Sequence, residues 1–316
     1  MKKTIVIHFY VLMAVLFLAG CAAQPVATEP SGSQADLIGQ SGSQSDAVST
    51  EEIALPAKEP KQWTYAEYEQ VEETEYTFEA SDGRRIFVYQ WLPQSAETPE
   101  GGFPTIILSH GYSSRSRNMK VDAFYFVKRG FACFAFDFCG GNVYQQSDGD
   151  FADMTVDTEI DDLNEIWNHV LSKDFVDKEN VFLWGSSFGG VVTFLTVAQR
   201  DLNPKGVILE YPAFDMAEFA FQGKNGWSHS GEKFMEAAKA YYGRMEDYYR
   251  NFGLPTLILH GDKDTVVDLS FSEHATAYLP NARLEIIEGG GHTFNWEQNE
   301  AVVWPLIFEF LVSLYS

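Results

Sequence analysis

A serine hydroxyl attacks a carbonyl carbon only when a base removes its proton, and that base works best when a carboxylate fixes its tautomer. The segment Val181-Phe-Leu-Trp-Gly185-Ser186-Ser187-Phe188-Gly189-Gly190 offers such a serine. Ser187 is central in Gly-x-Ser-x-Gly, with an apolar strand pattern before it and an apolar helical pattern after it. A sharp strand-to-helix turn exposes the serine Oγ, and the flanking glycines allow the backbone close approach that such a turn requires. The helix that follows points its free N–H groups and its positive end at the site. Phe188, directly after the nucleophile, is therefore placed to give one backbone donor to a developing oxyanion.

The partners of such a serine come later in the chain, acid before histidine. His229, His260, His274 and His292 follow Ser187. His292 stands in Ile287-Glu-Gly-Gly-Gly-His-Thr-Phe, after a strand pattern, where glycines let the imidazole swing toward the serine. His274 falls inside a helical pattern and reads as a surface residue, and His260 ends a strand and reads as structural. The acid belongs in Leu257-Ile-Leu-His-Gly-Asp-Lys-Asp264-Thr-Val-Val-Asp268, where Asp262, Asp264 and Asp268 compete. Asp268 opens the next helical pattern and suits a helix cap.

The elements that must position these groups alternate between the two periodicities. Strand patterns cover Glu75 to Ala80, Ile86 to Trp91, Thr105 to Ser109, Ala132 to Asp137, Val181 to Trp184, Gly206 to Glu210, Thr256 to Leu259 and Leu284 to Ile287. Helical patterns cover Met119 to Lys128, Val156 to Leu171, Gly189 to Arg200, Ser270 to Tyr278 and Asn299 to Tyr315. The first two strands form a hairpin around Ser81-Asp-Gly, and the remainder alternates as a mostly parallel sheet with helices on both faces. Between the sixth strand and the acid strand, about 212 to 252, the chain is too long for a plain crossover and rich in aromatics, so a small helical cap is expected there, with Trp227 a candidate for the pocket wall. Glu210 and Asp215 are the carboxylates placed to meet an amine.

These ordered motifs resemble the α/β-hydrolase family over residues 61–316. The resemblance implies the α/β-hydrolase fold with an eight-stranded sheet. It selects Asp264, the last position of His-Gly-x-x-Asp, as the acid. It also makes Tyr112, in Leu108-Ser-His110-Gly111-Tyr112, the second oxyanion donor, with His110 shaping that loop. Within the superfamily, Ser147-Asp-Gly-Asp-Phe-Ala-Asp-Met-Thr155 is similar to a stretch in bacterial cinnamoyl and feruloyl esterases. That likeness implies cleavage of hydroxycinnamoyl or other small acyl esters with no cofactor. One departure stands out: Asp137-Phe-Cys139-Gly occupies the place of Asp-x-Arg-Gly. A serine peptidase of the prolyl-oligopeptidase or aminopeptidase type is the alternative on the same fold. A surface-displayed lipoprotein that binds without cleaving is the alternative of another class.

Residues 1–20 carry a basic start, a short apolar run and small residues, ending in Leu18-Ala-Gly-Cys21. This is an export signal whose end resembles the lipobox of bacterial lipoproteins, implying a lipid on Cys21 and an envelope protein anchored to a membrane. The apolar run of about 15 residues is short of the ~20 needed to span a bilayer as a helix. Residues 21–60 are rich in Ser, Gly, Gln, Ala and acidic residues and read as a flexible tether, on the order of 35 Å end to end. A net charge of -23 over 316 residues sets nucleic acid aside as a partner. Cys133 and Cys139, on one strand running into a loop, are expected as free thiols, because about six residues of strand separate their Cα atoms well beyond disulfide reach. No metal-ligand spacing or phosphate loop is evident.

Overall fold

The computed structural model describes residues 68–94, 97–218 and 232–315. The signal, the tether, Cys21, Trp227 and the middle of the expected cap lie outside these described residues.

Eight strands form one sheet in the order β1-β2-β4-β3-β5-β6-β7-β8. They are β1 (Val71–Glu79), β2 (Arg85–Pro93), β3 (Phe103–Ser109), β4 (Ala132–Phe136), β5 (Val176–Ser186), β6 (Gly206–Glu210), β7 (Thr256–Gly261) and β8 (Ala282–Ile287). β1 and β2 form the expected antiparallel hairpin, β2 pairs antiparallel with β4, and every later pairing is parallel. The helices are α1 (Lys120–Val127), α2 (Val156–Leu171), α3 (Phe188–Gln199), α4 (Glu232–Lys239), α5 (Met245–Asn251), α6 (Leu269–Tyr278) and α7 (Trp304–Leu314). This is the α/β-hydrolase fold. No helix among the described residues is long and apolar enough to cross a membrane.

The central strands read as unbroken apolar runs because both faces are covered. In β5, Val181 and Leu183 join the core cluster under α2, α3 and α6, whereas Phe182 and Trp184 join the cluster under α1 and α7. In β4, Phe134 and Phe136 take the first side and Cys133 and Ala135 the second. Each alternation follows from the two-residue period of a strand. α2 starts where Thr155 and Thr158 bond reciprocally to each other's backbone N–H, with Asp157 and Glu159 in the positive first turn.

Two boundaries differ from the sequence reading for identifiable reasons. β5 begins at Val176, not Val181, because Val176 pairs with Phe103 across a register shift, and the polar run Asp177-Lys-Glu-Asn180 hides that extension. The last helix is not continuous from Asn299: residues Asn299–Val303 form a π-helical turn before α7. Pro305 lacks an N–H and cannot complete the α-helical ladder there, which favours the wider turn.

The loop after β4 is closed by its own residues. Ser147 Oγ donates to Asp137 O (2.5 Å) and accepts from Phe87 N (2.8 Å). A Cβ on Gly149 would lie 2.8 Å from Gly140 N, and one on Gly140 2.7 Å from Asp150 O, so both positions need glycine. Cys139 N donates to Asp162 Oδ2 (2.6 Å), and the guanidinium beside this loop comes from Arg84 of the hairpin, which pairs with Asp162. Arg84 thus puts a cation on the same carboxylate that holds the Cys139 backbone. Both described cysteines are free and buried, as expected.

Burial pushes the Asp162 carboxyl up to about 7 although Arg84 and Cys139 N pull it down. Arg84→Met is therefore expected to cost about 3 kcal/mol near pH 8, where the carboxylate would be buried without its cation. The loss should shrink near pH 5, where Asp162 takes up a proton. Urea unfolding at the two pH values measures both quantities.

Candidate active site

The parallel register brings the carboxyl ends of the central strands level: Ser109 pairs with Gly185, and Ser186 with Glu210. Chains leaving the same edge of such a sheet converge on one crevice. Ser187 leaves β5 there with φ 54° and ψ -120°, a region a side chain rarely adopts. Its N–H donates to Glu210 O (2.9 Å), and its carbonyl accepts from Gly190 N (3.0 Å) and Ala213 N (3.0 Å). The motif glycines admit the elbow: a Cβ on Gly185 would meet Gly189 O at 2.2 Å, and one on Gly189 would meet His110 O at 2.3 Å.

Ser187 Oγ lies 2.9 Å from His292 Nε2, and His292 Nδ1 lies 2.8 Å from Asp264 Oδ2. The carboxylate fixes the imidazole proton on Nδ1, which leaves Nε2 to accept from the serine. The Asp264 side chain is fully buried, while that of His292 keeps 20% of its exposure and can reach a bound molecule. Burial alone would raise the Asp264 carboxyl, but donors from His260, His292, Val266 N and Val267 N hold it well below the usual carboxylate range. It is an anion at any pH at which His292 is neutral. Asp268 caps α6 through Ser270 N (2.9 Å), and Asp262 accepts from Gly289 N (2.6 Å), so neither competitor for the acid role reaches the histidine. His274 is half exposed beside Glu246 (3.3 Å), in keeping with its surface reading.

A cavity of about 430 Å³ opens on this relay, and Tyr112, Ser187, Tyr211, His292 and Phe294 line part of it. A Cβ on Gly111 would lie 3.2 Å from Ser187 Cβ, so the Gly111–Tyr112 backbone runs directly beside the serine. Phe188 opens α3 and packs its ring against Tyr112 (6.0 Å between centroids). His110 is buried, accepting from Phe138 N (3.3 Å) on Nε2 and donating from Nδ1 to Gly111 O (2.8 Å). It ties the loop after β3 to the loop after β4, the shaping role its place before glycine implied. Phe151, from the stretch that carries the esterase resemblance, faces Tyr112 at 5.7 Å.

The rest of the wall is more polar than an aromatic cap would make it. Asp122, Ser186 and Glu210 line the cavity, and among the described residues no Lys or Arg lines it. Glu210 accepts from Ser186 Oγ (2.8 Å), and Asp122 accepts from Trp304 Nε1 (2.8 Å). Burial pushes Glu210 up to about 8 and Asp122 up to about 6, and Asp122 adds to the rise at Glu210. Asp215 is buried but is not part of this wall. In the described part of the expected cap, Tyr249 and Phe252 pack on Phe194 as core, and Phe234 alone of these aromatics reaches Tyr112 (5.7 Å). Asp122 had no motif to announce it, and Tyr211 follows a strand in an unremarkable sequence. Tyr211 lies 4.9 Å from the His292 ring, with φ 36°. No group of His, Cys, Asp and Glu among the described residues is arranged to hold a metal ion.

A hydroxyl, an imidazole and a buried carboxylate thus stand in one hydrogen-bonded line at the carboxyl edge of a sheet with the α/β-hydrolase fold. The chain belongs to the prolyl oligopeptidase family, which matches residues 117–315. Residues 53–161 also match the acetyl xylan esterase family. The chain is 31% identical over 121 residues to the quorum-quenching protein AidA of Acinetobacter baumannii, a match covering 37% of this chain and 38% of AidA. The chain thus spans little more than a third of the length of the curated relatives it matches first. Est1E of Butyrivibrio proteoclasticus, solved with ferulic acid bound, superposes with a TM-score of 0.65 at 23% identity, covering 76% of this chain and 98% of Est1E. An acetyl xylan esterase from Paenibacillus sp. R4 superposes with a TM-score of 0.62 at 15% identity, covering 78% of this chain and 85% of that one. At these identities the two structures show the shared fold.

Proposed function

We propose that the protein is a serine hydrolase that cleaves carboxylic esters of small acids through an acyl-enzyme. The observation that carries this reading is the continuous relay from Ser187 Oγ to His292 to Asp264 at the mouth of a cavity. Ser187 Oγ attacks the ester carbonyl as His292 Nε2 takes its proton, and the Phe188 and Tyr112 N–H groups receive the oxyanion. The same Nε2–H then protonates the departing alcohol, and water repeats the sequence to release the acid. The match to acetyl xylan esterases and the fold shared with Est1E support an ester over an amide, and the Ser147 to Thr155 stretch supports hydroxycinnamoyl esters among the substrates. The prolyl oligopeptidase family match favours a second reading, cleavage of peptide amides at the same serine. We also propose that Cys21 is lipidated and anchors the chain to a membrane of the cell envelope, a reading supported by the Leu18-Ala-Gly-Cys21 sequence.

Ser187→Ala is expected to abolish both turnover and labelling by a fluorophosphonate, and His292→Ala to cost several orders of magnitude in kcat. An unlabelled wild type would favour the binding lipoprotein instead. Values of kcat/KM for methyl ferulate or an aryl acetate should exceed those for aminoacyl anilides by at least about a hundredfold, near 2.7 kcal/mol of transition-state stabilisation. The opposite ranking would establish the peptidase.

The carboxyls in the wall make a separate prediction about substrate charge. Both ionise progressively between about pH 6 and pH 9, so negative charge in the cavity grows over that interval. The ratio of kcat/KM for an aryl acetate to that for the aryl hemisuccinate should rise about tenfold across it, a modest Coulombic penalty for a partly solvated cavity. Glu210→Gln should flatten the rise. For the anchor, the wild-type protein should enter the detergent phase and Cys21→Ser should stay in the aqueous one.

A further inference from the structure

His260 was expected to be merely structural, but its position in the fold links it to the acid of the relay. It is the next-to-last residue of β7, and its side chain is fully buried. Its Nδ1 is 2.7 Å from Ser272 Oγ on α6, and its Nε2 is 3.0 Å from Val267 O and 3.3 Å from Asp264 Oδ2. A carbonyl and a carboxylate only accept, so Nε2 must carry the proton and share it between them, while the Ser272 hydroxyl is free to donate to Nδ1. Asp264 Oδ2 therefore lies between two imidazoles, His292 at 2.8 Å and His260 at 3.3 Å. Asp264 Oδ1 is taken by Val266 N (2.8 Å) and Val267 N (3.0 Å).

We propose that His260 is a positioning residue for the relay: its Nε2–H closes the acid loop onto Val267 and competes with His292 for Asp264 Oδ2. This rests on the serine-hydrolase reading and adds a second imidazole to it. The bond to Val267 O clamps the turn that carries Asp264 to the end of β7, and the Ser272 contact ties the same ring to α6. The donation to Oδ2 withdraws electron density from the oxygen that holds the His292 Nδ1–H. A carboxylate that accepts from a second imidazole holds the His292 ring less strongly than one that accepts from His292 alone. The other carboxyls whose charge acts at this ring are Asp268, at the start of α6, and Asp215, in the segment after β6. Ser272 and Val267 complete its hydrogen-bonding surroundings.

The first test needs no substitution at His260. In the full chain carrying Ser187→Ala and 15N-labelled histidine, nuclear magnetic resonance should show a slowly exchanging proton on His260 Nε2. A His260 protonated on Nδ1 alone would overturn the proposal, since Nε2 could then donate to neither partner. The second test compares His260→Leu with His260→Gln, whose amide N–H can stand near the lost Nε2–H. With the Leu variant, the acid limb of the pH profile of kcat/KM should move up by about half a unit or more and kcat should fall at least about tenfold, with KM unchanged. The Gln variant should recover much of both. A folded Leu variant with the wild-type limb and kcat would overturn the proposal, and Ser272→Ala, which leaves the ring in place, should shift the limb in the same direction to a smaller extent if the Leu chain does not fold. These outcomes are separate from failure of the underlying reading, which would appear as ester turnover surviving in Ser187→Ala.

Discussion

The site depends on one unfavourable piece of backbone. Ser187 is held at φ 54° and ψ -120°, a conformation that costs of order 1–3 kcal/mol and persists only where the surroundings over-determine it. The surroundings do so from two sides, since the N–H is taken by Glu210 O and the carbonyl by Gly190 N and Ala213 N. Relaxing that backbone would forfeit these bonds and turn Oγ away from His292. The glycines at 185 and 189 are part of the same constraint, because any Cβ there would occupy the space of a carbonyl oxygen.

That constraint explains why the sheet is built as it is. A strained turn survives on a strand buried on both faces and flanked by strands in fixed register, and β5 lies between β3 and β6 with Phe182 and Trp184 on one face and Val181 and Leu183 on the other. A slip of one residue would carry those rings to the opposite face and take Ser187 away from the loop that holds Tyr112. The acid arrives by the same logic two strands further on, where His260 stands next to the last residue of β7 and the turn that follows brings Asp264 to His292. Electrostatics then separates the carboxyls by task. Asp264 is buried yet surrounded by donors and stays charged, whereas buried Glu210 and half-buried Asp122 have fewer donors and rise above the usual carboxylate range.

Much of this was legible in the chain because the signals were local. The strand ahead of Ser187, the glycine spacing and the His-Gly-x-x-Asp turn each announce a backbone shape, and the order of elements follows from their periodicity. What was not legible depends on contacts between distant segments. The pairing of Arg84 with Asp162, beside Cys139, joins a hairpin and a helix far apart in sequence, so nothing near the Asp137-Phe-Cys139-Gly stretch announced that cation. His260 was read as structural because its strand-end place shows nothing of Ser272 or Asp264. The π-helical turn before α7 was hidden by an apolar pattern that reads equally well as one continuous helix. The polar wall of the cavity drew no motif either, since Asp122 lies on a helix whose sequence shows only a charged residue among apolar ones.

The relay also has an order in time. Ser187 and His292 are 105 residues apart, and β6, β7 and β8 all lie between them. A chain emerging from the ribosome meets its own sequence from the amino end. Ser187 is synthesised first, and Asp264 follows before the imidazole it meets in the fold. The glycine loop that carries His292 comes last, after β8 at the far edge of the sheet. Until then Ser187 lacks the partner that its hydroxyl meets in the folded chain, and the hydrogen-bonded line of the three side chains can be complete only once the residues after β8 exist.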